Sequence, residues 1–234
     1  TATLFPKYPD AKAFAYAAQK FGLQVGYLNT SLPFGTVDTT SIALSLKSNS
    51  IVGMYMPLDD NTNFAIITSA HQAGVSLKVT DSLTGYGQAL LDDSAALPAA
   101  QGVYFPTVGQ PVELHTAATE AFQSALVKYG HLRGVPDFSA YEGWDSADLM
   151  IKGLQVAGKT ATRQSIIKNL RKVTSFNAGG LIATPVNFTQ FGKDPKQLCS
   201  YYTILKGKQF VVANNGKPVC TNLLPNSDQN PSAP

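Results

Sequence analysis

Apolar and polar positions alternate in short blocks along the first hundred residues. Ala2–Phe5 is an apolar run of strand length. Ala11–Phe21 is rich in Ala, with Asp10 behind Pro9 as an N-cap signal and Gly22 as a stop, which predicts a helix. Leu23–Leu28 reads as the next strand. Thr39–Ser48 carries Ile42, Leu44 and Leu46 and predicts a helix capped near Asp38 or Thr39. Ile51–Met56 is again apolar and breaks at Pro57 into Asp59, Asp60 and Asn61. An amphipathic segment, Thr62–Ala73, follows, then Gly74, a strand-like run at Val75–Thr80 and the polar loop Asp81–Gly87. Gln101–Phe105 supplies a fifth strand. Strands alternating with helices imply an α/β fold, a doubly wound parallel sheet with right-handed crossovers.

After Pro106 the pattern changes to the helical period. Pro111–Tyr129 reads as one long helix, Ser139–Ala157 as a second and Gln164–Val173 as a third, capped within Thr160–Arg163. Two strand-like runs, Ser200–Lys206 and Gln209–Ala213, meet at Gly207 in a C-terminal hairpin. The chain thus divides into an α/β lobe at 1–108, additional helices and the hairpin at 109–222, and a flexible Pro-, Asn- and Ser-rich tail at 223–234. The helices at 139–157 and 162–173 carry apolar faces but have no neighbouring strands of their own. Either they pack on the first sheet, or their sheet lies in residues outside these 234.

Composition narrows the class. Hydrophobic residues make up 44% of the chain, enough for a sizeable core, and charged residues only 14%. The net charge of +3 comes from singly scattered Lys and Arg, with no basic block interleaved with aromatics, which argues against nucleic acid as a partner. No apolar run approaches the roughly 20 residues that cross a bilayer. The chain opens directly on strand-like Thr1-Ala2-Thr3-Leu4-Phe5, as expected of a mature product or of one cut from a longer chain. Cys199 and Cys220 lie 21 positions apart around the hairpin. A disulfide formed outside the cytoplasm is the favoured reading and a pair of buried thiols the alternative.

Candidate chemistry is sparse. There is no GxxxxGK[ST] phosphate loop, no GxGxxG, no GxSxG elbow and no HExxH, and His71, His115 and His131 stand apart. Catalysis, a cofactor and a metal site are therefore not expected. What recurs is aromatic, hydroxyl and acidic residues where strands end: Tyr8, the Pro57-Leu58-Asp59 turn, Asp81, Ser82, Thr84 and Tyr86. Ligands of open parallel sheets bind outside the carboxyl ends of the strands, in concave sites with a few placed polar groups. These eight residues form the candidate ligand site, while Tyr104 and Phe105 are expected in the core.

Tyr141-Glu-Gly-Trp144-Asp145-Ser-Ala147-Asp-Leu149-Met, then Gly153-Leu154 and Ala157-Gly158-Lys-Thr160, resembles a helix and "AG-x-T" turn of the type I periplasmic solute-binding proteins of ABC importers, the branched-chain amino-acid-binding-like group. Arg163–Leu170, Phe176, Gly179-Gly180 and Lys47–Val52 continue the likeness, which spans Thr1 to about Val212. The resemblance implies two α/β lobes closing on a small-molecule ligand around a hinge, with permease subunits as partners and a periplasmic or extracellular location, secreted or lipid-anchored. It makes residues 1–108 the second lobe and the later helices parts of a first lobe whose remainder would be another fragment of the same protein. Tyr8, the turn at Pro57–Asp59 and the loop at Asp81–Thr84 correspond to the family's contact positions. The place of the family's ammonium-binding acid falls at Leu83 or Thr84, so an aromatic or carboxylic ligand stands beside an amino acid. A ligand-sensing receptor domain is the alternative function, although a sensor would need a transmembrane or signalling segment. A flavodoxin-like enzyme is less favoured, because Pro6-Lys7-Tyr8-Pro9 lacks the residues of a flavin loop.

Overall fold

A computed structural model describes residues 1–6, 11–33, 35, 38–107, 109–193, 197–222 and 224. Tyr8, the Asp10 cap and nearly all of the tail lie outside the described residues. Thr1–Pro106 with Thr203–Val211 and Leu224 forms one compact unit, and Thr107–Tyr202 with residues 212–222 forms a second.

In the first unit, β1 (Ala2–Pro6), β2 (Tyr27–Leu32), β3 (Gly53–Met56), β4 (Val79–Ser82) and β5 (Tyr104–Thr107) pair in parallel, and β6 (Gln197–Lys206) and β7 (Gln209–Val212) extend the sheet in the order β2-β1-β3-β4-β5-β6-β7. The helices are α1 (Ala11–Lys20), α2 (Thr39–Ser48), α3 (Asp60–Gln72) and the short α4 (Gln88–Asp92). α2 and α3 pack together and bury Ile42, Leu46, Ile66 and Ile67 with Leu4, Met54, Met56 and Phe105 of the sheet. Burying each of these Leu, Ile or Met side chains stabilises the fold by about 1.5–3 kcal/mol. α1 lies on the opposite face, where Phe14 stacks on Tyr55.

Two strands begin four residues later than their apolar runs suggest. Gly22, at φ +80°, ends α1, and residues 23–26 carry the chain back until the Gly26 N–H reaches the Thr1 carbonyl. Only then does Tyr27 pair with Ala2. Val75 closes the end of α3, its N–H on the Ala70 carbonyl, and the pairing of Gly53 with Val79 starts β4. Asp81 and Ser82 therefore stand inside a strand and not in the loop after it.

The second unit is helical, with the first half of β6 and β8 (Val219–Asn222) beside it. The expected helix from Pro111 is divided: a 3-10 turn at Val112–Leu114 stops at left-handed His115, and α5 (Ala117–Gly130) starts afresh from a Thr116–Thr119 capping box. α6 (Phe138–Ala157) is capped by Asp137 and α7 (Arg163–Leu170) by Thr162, which forms a capping box with Ser165. α6 and α7 approach at Gly153, where a Cβ would stand 2.9 Å from Ile166 Cγ2. Phe122, Tyr141 and Trp144 form an aromatic cluster with centroids 4.7 and 5.3 Å apart. β6 and β8 pair antiparallel with Cys199 opposite Cys220, and the two form a disulfide. The free-thiol alternative is thereby set aside.

Candidate functional site

The carboxyl ends of β3 and β4 are joined by one hydrogen-bonded group. Pro57, which has no N–H to give a ladder, follows β3, and Asp59 then takes an extended conformation and caps α3. Asp59 Oδ1 accepts from the Thr62 N–H at 2.9 Å and Oδ2 from the Gly35 N–H at 3.4 Å, while the Thr62 hydroxyl donates to the Gly35 carbonyl at 2.7 Å. Partial burial works to raise the Asp59 pKa, but the hydrogen bonds from Thr62 and Gly35 outweigh it and hold the carboxylate below its usual range.

Across the sheet, the Leu83 N–H donates to the Met56 carbonyl at 3.2 Å. The Thr84 hydroxyl donates to the Leu58 carbonyl and the Ser82 hydroxyl to the Thr84 carbonyl, both at 2.8 Å. Between the loops sits Asn63, fully buried in the first turn of α3. Its Nδ2 lies 3.2 Å from the Met56 carbonyl, 3.3 Å from that of Leu58, 2.8 Å from Ser82 Oγ and 3.1 Å from Thr84 Oγ1. Gly85 passes at φ +101°, where a Cβ would meet the Phe64 ring at 2.8 Å.

The structure brings Pro57, Leu58, Asp59, Ser82, Thr84 and Tyr86 into this one region, in different roles. Pro57, Asp59 and Thr84 are half-buried. The side chains of Leu58, Ser82 and Tyr86 are buried, with the Tyr86 ring 4.8 Å from that of Phe210. Asp81 stands apart. Its partners in the sheet are Tyr55 and Tyr104, on the face opposite Ser82. There it edges a cavity of about 440 Å³, lined also by Thr3, Phe14, Ala18, Tyr55 and Val79. Its Oδ1 has no hydrogen-bond partner among the described residues, and burial pushes the carboxyl up to about 7. Asn63, Thr62 and Gly35 escaped the sequence reading. The available signal was Asn63 itself, a polar residue in register with Ile66, Ile67 and Ala70 on the buried stripe of α3. Among the described residues no group of three His, Cys, Asp or Glu side chains could hold a metal ion.

A doubly wound α/β unit with its candidate polar loops beyond the carboxyl ends of the strands is the architecture of a ligand-binding lobe. The sequence profile of the periplasmic binding protein family matches residues 5–208, and the chain belongs to that family. No curated protein aligns significantly with it. Among solved structures, a fatty acid ABC transporter substrate-binding protein from Thermomonospora curvata is 23% identical with a TM-score of 0.74, over 91% of this chain and 55% of that one. A branched-chain amino acid ABC transporter protein from Thermus thermophilus, with bound valine, is 16% identical with a TM-score of 0.72, over 93% and 60%. A solute-binding protein from R. palustris in complex with benzoate is 19% identical with a TM-score of 0.67, over 93% and 58%. The chain thus spans little more than half the length of these structures.

Proposed function

We propose that this chain is part of the solute-binding component of an ABC importer, held outside the cytoplasmic membrane, secreted or anchored through lipid. It captures a small carboxylate-bearing or amino-acid-like molecule by hinge closure, in which the ligand favours the closed state through its greater affinity for it. Permease subunits receive the loaded protein. The remaining length of the relatives supplies the other wall of the cleft, from the same polypeptide or a second one. The observation that carries the reading is the hydrogen-bonded loop pair after β3 and β4, which holds Pro57, Asp59 and Thr84 at the edge where ligands of such sheets bind. The family resemblance adds Tyr8 as a further ligand contact, while Leu58, Ser82 and Tyr86 support the wall from within. Asp81 enters only as an acid behind the wall. The fatty acid, valine and benzoate named for the three structures share a carboxylate, which supports that ligand class. The loop group holds hydrogen-bonding side chains at the strand ends, which suits the binding of a small polar molecule.

Native mass spectrometry of the purified protein tests the reading, followed by a melting-temperature screen with valine, benzoate and a medium-chain fatty acid. A co-purifying small acid, or a rise in melting temperature with one of the three that Thr84→Ala and Tyr8→Ala weaken, is the expected result. A bare chain that none of the three stabilises would sink the carboxylate reading.

A further inference from the structure

We infer that Asn63 is a positioning residue of this site, the side chain at the centre of the bonds that make the segments ending β3 and β4 move as one body. The inference takes from the proposed function only the statement that these loops line the ligand; the coupling stands on hydrogen-bond geometry alone.

The direction of every bond around Asn63 is determined. The Thr84 hydroxyl proton is committed to the Leu58 carbonyl and the Ser82 hydroxyl proton to the Thr84 carbonyl. Both hydroxyl oxygens therefore face Asn63 as acceptors, beside the carbonyls of Met56 and Leu58. Four acceptors surround one nitrogen, so the amide group must present its NH₂ here, because the reversed amide would set Oδ1 against four oxygen lone pairs. Its two protons are shared among acceptors from both loops, Met56 and Leu58 on one side and Ser82 and Thr84 on the other.

The opposite end of the side chain points to the same role. Asn63 Oδ1 is buried with no partner among the described residues. A buried amide that leaves its acceptor unsatisfied bears a cost that only the donor half can offset. Asp59, four residues earlier, anchors the same turn of α3 to the Gly35 loop. The first turn of α3 therefore carries the endings of β3 and β4 together, with Gly35 bonded to its cap, and a ligand that meets one loop meets the other at fixed spacing. Preorganisation of this kind lowers the cost of ordering on binding.

Hydrogen exchange on the full 234-residue chain tests this without a ligand. In Asn63→Leu, which keeps the branched shape of the side chain and removes both donors, the amides of Leu58–Asn61 and of Leu83–Tyr86 should exchange about tenfold faster together. The amides of α2, on a separate element, should change less. Exchange that rises equally everywhere, or at one loop only, overturns the proposal. Should the variant not fold, the wild-type side-chain amide decides. Asn63 Nδ2 protons that exchange far more slowly than those of exposed Asn61 support the coupling, and equal rates refute it. Adding sodium benzoate or valine to the wild type separates the two readings. Missing protection at both loops counts against the ligand assignment and leaves the Asn63 result standing.

Discussion

Asp59 and Asp81, 22 positions apart, show what a carboxylate gains or loses by its surroundings. Asp59 gathers N–H donors that favour its charge, so its stabilising contribution is present above the unfolded carboxylate pKa and is lost as pH falls toward its lowered folded value. Asp81 is the reverse case. Its pKa rises from 3.8 to about 7 on burial, so between those values the folded protein holds a proton that the unfolded chain has released. Its contribution is fully present below the unfolded value and declines as pH climbs toward 7. Asp81→Asn should flatten that decline. The variant should melt higher than wild type at pH 8, and its advantage should shrink toward pH 4, as read by calorimetry across the range. Asp145, pushed up to about 6 by burial and by Glu142 and Asp148, remains in the variant, so a residual slope of the same sign should persist. Matching profiles for variant and wild type would show that Asp81 is solvated.

At the scale of elements, local signals and tertiary packing can be separated with paired substitutions. Gly85 and Gly102 both adopt positive φ, +101° and +75°, but a Cβ at Gly85 meets Phe64 at 2.8 Å and one at Gly102 meets nothing among the described residues within 4 Å. Alanine at either position incurs the left-handed backbone cost. Only Gly85→Ala should add an overpacking cost of about 1–3 kcal/mol. Urea denaturation of the two variants measures the difference, and equal losses would mean that the Phe64 ring yields freely. The loop after β4 follows its path partly because glycine alone lets it pass under that ring. The caps are more local. Asp38 and Thr162 begin their helices with the side-chain bonds their sequences suggest, and Asp137 caps α6 in the same way.

At the scale of the whole molecule, the disulfide closes the excursion of the chain from β6 through β7 to β8. For a loop of 21 residues the chain-entropy account gives a stabilisation of about 3 kcal/mol. Reduction by dithiothreitol, or the double substitution Cys199→Ser with Cys220→Ser, should lower the melting temperature by several degrees. An unchanged melting curve would mean that the β6–β8 pairing holds without the bridge. In the second unit, Ile151 and Leu154 of α6 are about half exposed and follow Ala147 at helical spacing on one stripe. Such a stripe fits a chain that spans 55–60% of the structures it resembles.

What the sequence determined by itself was the order and type of most elements, because hydrophobic period, caps and glycine stops are local properties; the short α4 and β8, and the break before α5, lay outside that reading. α2 is legible to the residue, and the fold class follows from the alternation of strand and helix. The Cys199–Cys220 bridge could be expected from the hairpin between the cysteines. Tertiary structure alone decided the register of β2 and β4, since a strand begins where its neighbour offers pairing partners and not where its apolar run begins. That register set the place of Asp81: with side chains alternating across the sheet, Ser82 joins the loop group and Asp81 turns to the other face. Asn63 was hidden for the same reason. Its worth lies in four oxygens contributed by segments up to 21 residues away, and only the folded sheet brings them to one nitrogen.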